Sequence, residues 1–241
     1  MKFDASIPSV QTARFDDWSV EHSPALSTKW LQDLIEFDWS LIDKKDPNVL
    51  NINDSSLVVK IESDLGYLAA KLSSNDTLKE MVLNTFSQKS AKRNWQYAHF
   101  LVNHQISTPE PLAFLQRKKL GLNYQSWYIC RFEEGLTCED YFLNATSFTP
   151  AMKNIISSIV ELFRAMKECQ VSHGNLNASN LIISQDGPCL IDLDSMSYCS
   201  NKKKAEQKWR EDLLSFMDNW WQRHDIDKQF RLAFLKQGIA L

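Results

Sequence analysis

An α+β fold, sheet-rich in its N-terminal half and helix-rich in its C-terminal half, is what this sequence predicts. Three observations lead to it. Leu57–Ile61 and Tyr67–Leu72, then Leu112–Gln116 and Ser126–Phe132, are short β-branched and apolar runs separated by turn residues. Ala151–Gln170 carries Met152, Ile155, Ile156, Ile159, Val160, Phe163 and Met166 at helical spacing. Between this helix and a C-terminal helical stretch lies one more hairpin pattern, Leu181–Ser184 and Cys189–Asp192 around Gln185-Asp186-Gly187-Pro188.

Residues 1–48 read as a helical extension, because Trp30, Leu31, Leu34 and Ile35 give an amphipathic run that Phe37–Trp39 continues. The aromatic stripe reads as core. Residues 49–134 form the sheet-rich part, in which Ser63-Asp64-Leu65-Gly66 and Lys118-Lys119-Leu120-Gly121 supply turns and Lys60 reads as a solvated strand lysine. A helix is expected over Ser87–Asn103, with Ala91, Asn94, Trp95 and Ala98 along one face and Lys89, Lys92 and Arg93 crowding its first turn. Ser107-Thr108-Pro109-Glu110-Pro111 is a stiff connector, since proline blocks helix continuation.

The helix-rich part covers 135–241. Thr137-Cys138-Glu139-Asp140 resembles a capping box, and Thr149-Pro150 supplies an N-cap and a first helical residue. Asn201–Lys204 reads as a basic loop, followed by helices at Trp209–Trp220 and near Lys228–Lys236.

The chain has 241 residues, 44% hydrophobic and 24% charged, with a net charge of -3, so a real core is expected and nucleic acid is not an expected partner. Its five cysteines form no C-x-x-C pair, which indicates neither a disulfide framework nor a zinc site. MKFDASIPSV lacks the apolar segment of a signal peptide, and no stretch is long enough to span a membrane. A cytoplasmic protein is expected.

Polar side chains gather at the open end of the third hairpin. His173, Asn175, Asn177 and Asn180 precede it, Asp192 and Asp194 follow it, and antiparallel pairing returns both groups to one edge. Asn180 and Asp192 offer an amide oxygen and a carboxylate, a donor pair that suits Mg²⁺ beside phosphates. The same residues also suit a plain surface hairpin whose Asn and Asp close turns.

These residues resemble those of the protein-kinase-like fold, and most closely the bacterial lipopolysaccharide kinases of the Kdo/WaaP type. Kinases carry H-R-D-L-x-x-x-x-N, a hairpin and D-F-G. Here stand His173-Gly174-Asn175-Leu176, Asn180 and Ile191-Asp192-Leu193-Asp194; Ala91–Trp95 and Ile106–Pro111 resemble that family's helix and connector. The likeness runs from about residue 50 to 220 and implies a bilobal fold. It also implies ATP and Mg²⁺ as cofactors, with Lys71 on the phosphates and Glu133, Glu134 and Gly135 at the adenine hinge. Asn180 and Asp192 would hold metal, with His173, position 175 and Asp194 at the catalytic loop. The implied acceptor is a sugar hydroxyl of a lipopolysaccharide core precursor, met at the inner face of the inner membrane, with the basic segments Arg117–Lys119 and Lys202–Lys204 as contacts.

Three departures set this chain apart. Asn175 replaces the aspartate that takes the acceptor's proton, Asn94 replaces the glutamate that pairs with the strand lysine, and Asn51–Ser56 contains no glycine. A weakened sugar kinase and a catalytically inactive pseudokinase that binds nucleotide or scaffolds other proteins are therefore both expectations. A kinase for another alcohol is a third, because one fold hosts many acceptors.

Overall fold

The computed structural model describes residues 9–53, 56–75, 77, 91–145 and 147–239. Lys89 and the expected start of its helix, and residues 54–55 of the glycine-free segment, lie outside them. The chain divides into two compact units: one holds the described residues up to His99 with Pro109–Phe132, the other Phe100–Thr108 and the described residues from Glu133 onward.

The first unit is an antiparallel sheet of seven strands. Its strands are β1 (Gln11–Phe15), β2 (Trp18–His22), β3 (Val49–Asn53), β4 (Ser56–Ser63), β5 (Gly66–Ser74), β6 (Pro111–Lys119) and β7 (Leu122–Arg131), in the order β1-β2-β6-β7-β5-β4-β3. Period-two alternation buries Leu57 and Val59 on β4 and Leu68 and Ala70 on β5. Leu31 and Leu34 of α1 (Thr28–Glu36) belong to the same core. The opposite face carries Val58 and Lys60 paired with Lys71 and Ala69.

The expectation of a purely helical extension over 1–48 is corrected here. α1 is present, but β1 and β2 precede it and extend the sheet beyond β6. β2 alternates buried Trp18, Val20 and His22 with more accessible Ser19 and Glu21. β1 is a short edge strand whose Thr12 and Arg14 are exposed and whose Ala13 and Phe15 pack half-buried on the core, so its alternation spans too few residues to announce a strand. The β6–β7 turn is tighter than expected, because Leu120 and Gly121 both take positive φ, 53° and 79°, and close a two-residue hairpin.

In the second unit α2 (Ala91–Asn103) contributes its last residues, followed by β8 (Leu136–Thr137), α3 (Cys138–Leu143) and α4 (Pro150–Glu168). Both expected caps form: Thr137 Oγ1 accepts from the Asp140 amide at 3.0 Å, and Thr149 Oγ1 accepts from Met152 at 3.3 Å. Then come β9 (Val171–Ser172), β10 (Leu181–Ser184), β11 (Gly187–Leu190), β12 (Ser197–Tyr198), α5 (Lys202–Asp218) and α6 (His224–Lys236). Asn201–Lys204 is not a loop: the Asn201 side chain caps α5 by accepting from the Lys204 amide at 3.1 Å, and the three lysines form its first turn. The β10–β11 turn is Gln185-Asp186 alone, with Gly187 (φ 111°) already paired to Ser184, and β11 ends at Leu190, two residues before Asp192.

Edge-on and stacked contacts among Phe142, Phe163, Phe216, Trp220, Phe230 and Phe234 join α3, α4, α5 and α6. Gly135 leads into β8 where a Cβ would collide with the Ile183 carbonyl and lie 2.8 Å from Ile182 Cγ2, so only glycine lets the chain approach β10 there.

His99 on α2 is 8% exposed, its Nε2 has no hydrogen-bond partner among the described residues, and its ring meets Trp95 edge-on at 4.2 Å. Burial lowers its imidazole from 6.5 to about 4. The unfolded chain therefore takes up this proton first as pH falls, so stability present above pH 6.5 is lost toward pH 4. Relative to His99→Leu, the wild type should lose about 1–2 kcal/mol more between pH 7 and pH 5 in urea denaturation. Equal losses in the two proteins would refute the assignment.

Candidate functional site

The loop that follows β9 is shaped by one buried carboxylate. Asp212 of α5 is 3% exposed and accepts the backbone amides of His173 at 2.6 Å and Gly174 at 2.8 Å. Burial pushes its carboxyl above the ordinary range, and the amides of Gly174, His173 and Leu176 pull it back down. Gly174 has φ +79°, and a Cβ there would sit 2.5 Å from the Ser195 carbonyl oxygen. The glycine is what permits two successive amides to converge on one carboxylate.

His173 is fully buried. Its Nε2–H donates to the Ile191 carbonyl at 2.9 Å, because a carbonyl can only accept, and its Nδ1 has no hydrogen-bond partner among the described residues. The imidazole thus ties the catalytic-type loop to the chain just before Asp192 and does not reach solvent. In this geometry it positions the loop.

Asn177 closes the next turn: its Oδ1 accepts from the Asn180 amide at 3.1 Å and from Ser179 Oγ at 2.7 Å. Asn180 donates through Nδ2 to the Asn175 carbonyl at 2.9 Å, which directs its Oδ1 away from the loop. The Ile191 amide donates to the Asn180 carbonyl at 3.1 Å, extending the β10–β11 ladder and bringing Asp192 to the same end. Asp192 is exposed and left-handed, φ 58° and ψ 61°, a conformation that costs a non-glycine residue about 1–2 kcal/mol. Asp194 lies half-buried in the 3-10 turn Leu193–Ser195, and the Asn175 side chain is exposed. The connector reaches this hairpin too: Ser107 and Thr108 bond the Leu190 amide and carbonyl at 2.9 Å each.

The second unit therefore gathers His173, Asn175, Asn180, Asp192 and Asp194 around one loop and one hairpin end. Glu133 is half-buried and Glu134 exposed just before Gly135. The first unit carries Lys71 on the sheet face opposite its core, beside Val58 and Tyr128 on the neighbouring strands, and Asn94 is 2% exposed on α2. Lys60 is not simply solvated: its ammonium lies 4.1 Å from the Tyr67 ring centroid and 4.2 Å from that of Phe132.

Asn180 and Asp192 supply hard oxygen donors with the amide nitrogen turned aside, which fits Mg²⁺ completed by phosphate and water. No cluster of three or more His, Cys, Asp or Glu suited to a metal occurs among the described residues. Asp212 is the residue that sequence reasoning missed. Its signal was present: an acid three residues after Trp209 and four before Phe216 sits on the apolar face of a helix, where charge persists only with donors around it.

Asp212→Asn replaces one acceptor oxygen with an NH₂ facing backbone donors. It should destabilise the fold by about 1–3 kcal/mol and raise hydrogen exchange at the His173 and Gly174 amides before distant sites. Unchanged exchange at those two amides would show that the carboxylate does not hold the loop.

A search of curated proteins finds no match. Among solved structures the chain is similar to "WaaP in complex with acyl carrier protein", at 14% identity, 88% coverage of each chain and a TM-score of 0.57, a likeness that establishes the kinase-like fold. The sequence model described as "Lipopolysaccharide kinase (Kdo/WaaP) family" matches residues 54–235, well over half of the chain. The loop, the hairpin and this match lead to one conclusion: the protein belongs to the lipopolysaccharide kinase (Kdo/WaaP) family.

Proposed function

We propose that this protein binds ATP with Mg²⁺ and transfers a phosphoryl group slowly to a sugar hydroxyl of a lipopolysaccharide core precursor. The observation that supports it best is the pairing of Asn180 and Asp192 at the hairpin end, with the Asn180 Nδ2 committed to the Asn175 carbonyl. Asn180 and Asp192 would hold the metal, which when bound neutralises charge on the phosphates. Lys71 would grip the α and β phosphates, and Glu133, Glu134 and Gly135 would lie beside the base. The family match supports nucleotide use in general.

Asn175 sets the rate in this reading. An amide cannot accept the acceptor's proton, and general-base help contributes typically about 10²–10⁴-fold. Transfer through a loose transition state leans more on positioning and charge, which argues for a slow enzyme over a dead one. Asp194, two residues past Asp192, is the other carboxylate of the segment and would be the candidate to take that proton. The opposing reading, an inactive nucleotide-binding scaffold, is favoured by the same asparagine.

The basic start of α5 suits an anionic acceptor. Lys204 and Lys208 stack at i and i+4, and Lys208 Nζ donates to Ser197 Oγ at 3.1 Å, which in turn meets Ser172 Oγ at 2.9 Å beside His173. Lys202 to Lys204 stand in a first turn whose dipole repels positive charge, and Lys208 adds a like charge one turn on from Lys204; an anion bound there would offset both costs. No helix among the described residues is long and apolar enough to cross a membrane.

Thermal unfolding tests the reading. ATP at about 100 times its Kd should stabilise the wild type by about 2.7 kcal/mol by mass action, with a part that depends on Mg²⁺. Asp192→Ala should lose the Mg²⁺-dependent part and Lys71→Ala most of the whole. Asn175→Asp should raise phosphotransfer to core oligosaccharide by about 10²-fold or more. Absence of any ATP shift in the wild type would defeat the proposal; an ATP shift with no transfer even in Asn175→Asp would favour the scaffold.

A further inference from the structure

Lys60 shares with Lys71 the sheet face opposite the core of the first unit. It stands directly across from Ala69 on β5, with Cys130 of β7 next in the same row. Its half-buried side chain carries the ammonium over two aromatic faces, 4.1 Å from the Tyr67 centroid and 4.2 Å from that of Phe132. A cation at such distances is attracted by both ring quadrupoles at once, so it holds the two rings as much as they hold it.

Phe132 is the last residue of the first unit, and Glu133 begins the second. Up to that point the main chain is pinned. The Arg131 amide donates to the Glu110 carbonyl at 2.9 Å, the Phe132 amide to the Tyr67 carbonyl at 2.9 Å, and Arg131 Nη1 to the Leu65 carbonyl at 2.9 Å. These bonds fix the backbone and leave the Phe132 ring to be fixed by something else, which is Lys60. Beyond the crossover, Gly135 lies so close to the Ile183 carbonyl that a Cβ would collide with it. Glu133 and Glu134 are therefore held from both ends, each anchor within its own unit. A segment ordered in advance loses less freedom when a ligand arrives.

We propose that Lys60 is a positioning residue of the nucleotide site: its ammonium fixes Phe132, and through Phe132 the Glu133–Glu134 segment assigned to the base. This role rests on the reading of the protein as one that binds nucleotide, and it adds a residue outside the loop, the hairpin and Lys71. A solvated strand lysine could be exchanged for any polar residue. A clamp requires a cation and a ring.

Calorimetric titration of the full chain with ADP and Mg²⁺ tests it. Lys60→Met, of similar length but without charge, should weaken ADP about three- to tenfold. Lys60→Arg keeps a cation over the rings and should bind within about twofold of the wild type. Phe132→Leu should weaken ADP by a similar factor to Lys60→Met, and combining the two should cost nothing further, because the clamp is already open. In the free protein, Lys60→Met should raise hydrogen exchange at the Glu133 and Glu134 amides and leave that of Trp127 unchanged. With a wild type that binds ADP, the positioning role is overturned by unaltered affinity in Lys60→Met, by failure of Lys60→Arg to restore it, or by losses that add in the double variant, since additive losses mean that Lys60 acts on the nucleotide directly. A wild type that does not bind ADP overturns the nucleotide reading itself, and this role with it.

Discussion

The second unit's loop geometry depends on the burial of Asp212 against the amides of His173 and Gly174. A carboxylate taken out of water is tolerable only when hydrogen bonds replace its solvation, and here the replacement comes from the loop itself. The dependence is mutual. α5 can bury an acid because the loop turns its amides inward, and the loop can hold that turn because the acid is there. Gly174 makes the exchange possible, since a side chain at φ +79° would press on the Ser195 carbonyl. From this anchor the remaining bonds follow in sequence: His173 to Ile191, Asn177 to Asn180, Asn180 to Asn175.

Much of this was legible in the amino-acid sequence, and the rest was hidden for identifiable reasons. Strands β4 to β7 and the long helix α4 announce themselves through alternation, turn residues and caps, all of which are local. β1 stayed hidden because its alternation rests on Ala13 and Phe15 alone, at a sheet edge. The first turn of α5 stayed hidden because three consecutive lysines read as loop, while the Asn201 cap that starts the helix is a single residue. At the site, Asn180 and Asp192 were visible as residue types at a spacing. Asp212 lies 39 positions from His173, and no local pattern links the two. The left-handed backbone of Asp192 was equally invisible, since only the surrounding bonds impose it.

The first unit's sheet offers two faces of different chemistry to one protein. Alternation alone assigns Lys71, Ala69 and Val58 to one face, and Leu57, Leu72 and Trp127 to the other. The second face would be closed by a helix in a minimal sheet, but α1 covers only part of it, and Phe37 to Lys44 leave a cavity beside Trp39.

Position 175 separates architecture from chemistry. The bonds described here that shape the loop use the backbone of residues 173 to 175 or the side chains of His173, Asn177, Asn180 and Asp212; Asn175 itself contributes a carbonyl, and its side chain is exposed. Exchange of an aspartate for an asparagine there removes a proton acceptor without withdrawing any support from the loop. The fold therefore gives no reason for the geometry of Asn180, proposed above as half of a metal-holding pair, to decay with the residue at 175, because Asn180 is oriented by the peptide of that residue and not by its side chain. A loop built in this way can keep its binding geometry while its turnover falls, and can regain turnover by a single substitution that leaves every hydrogen bond in place.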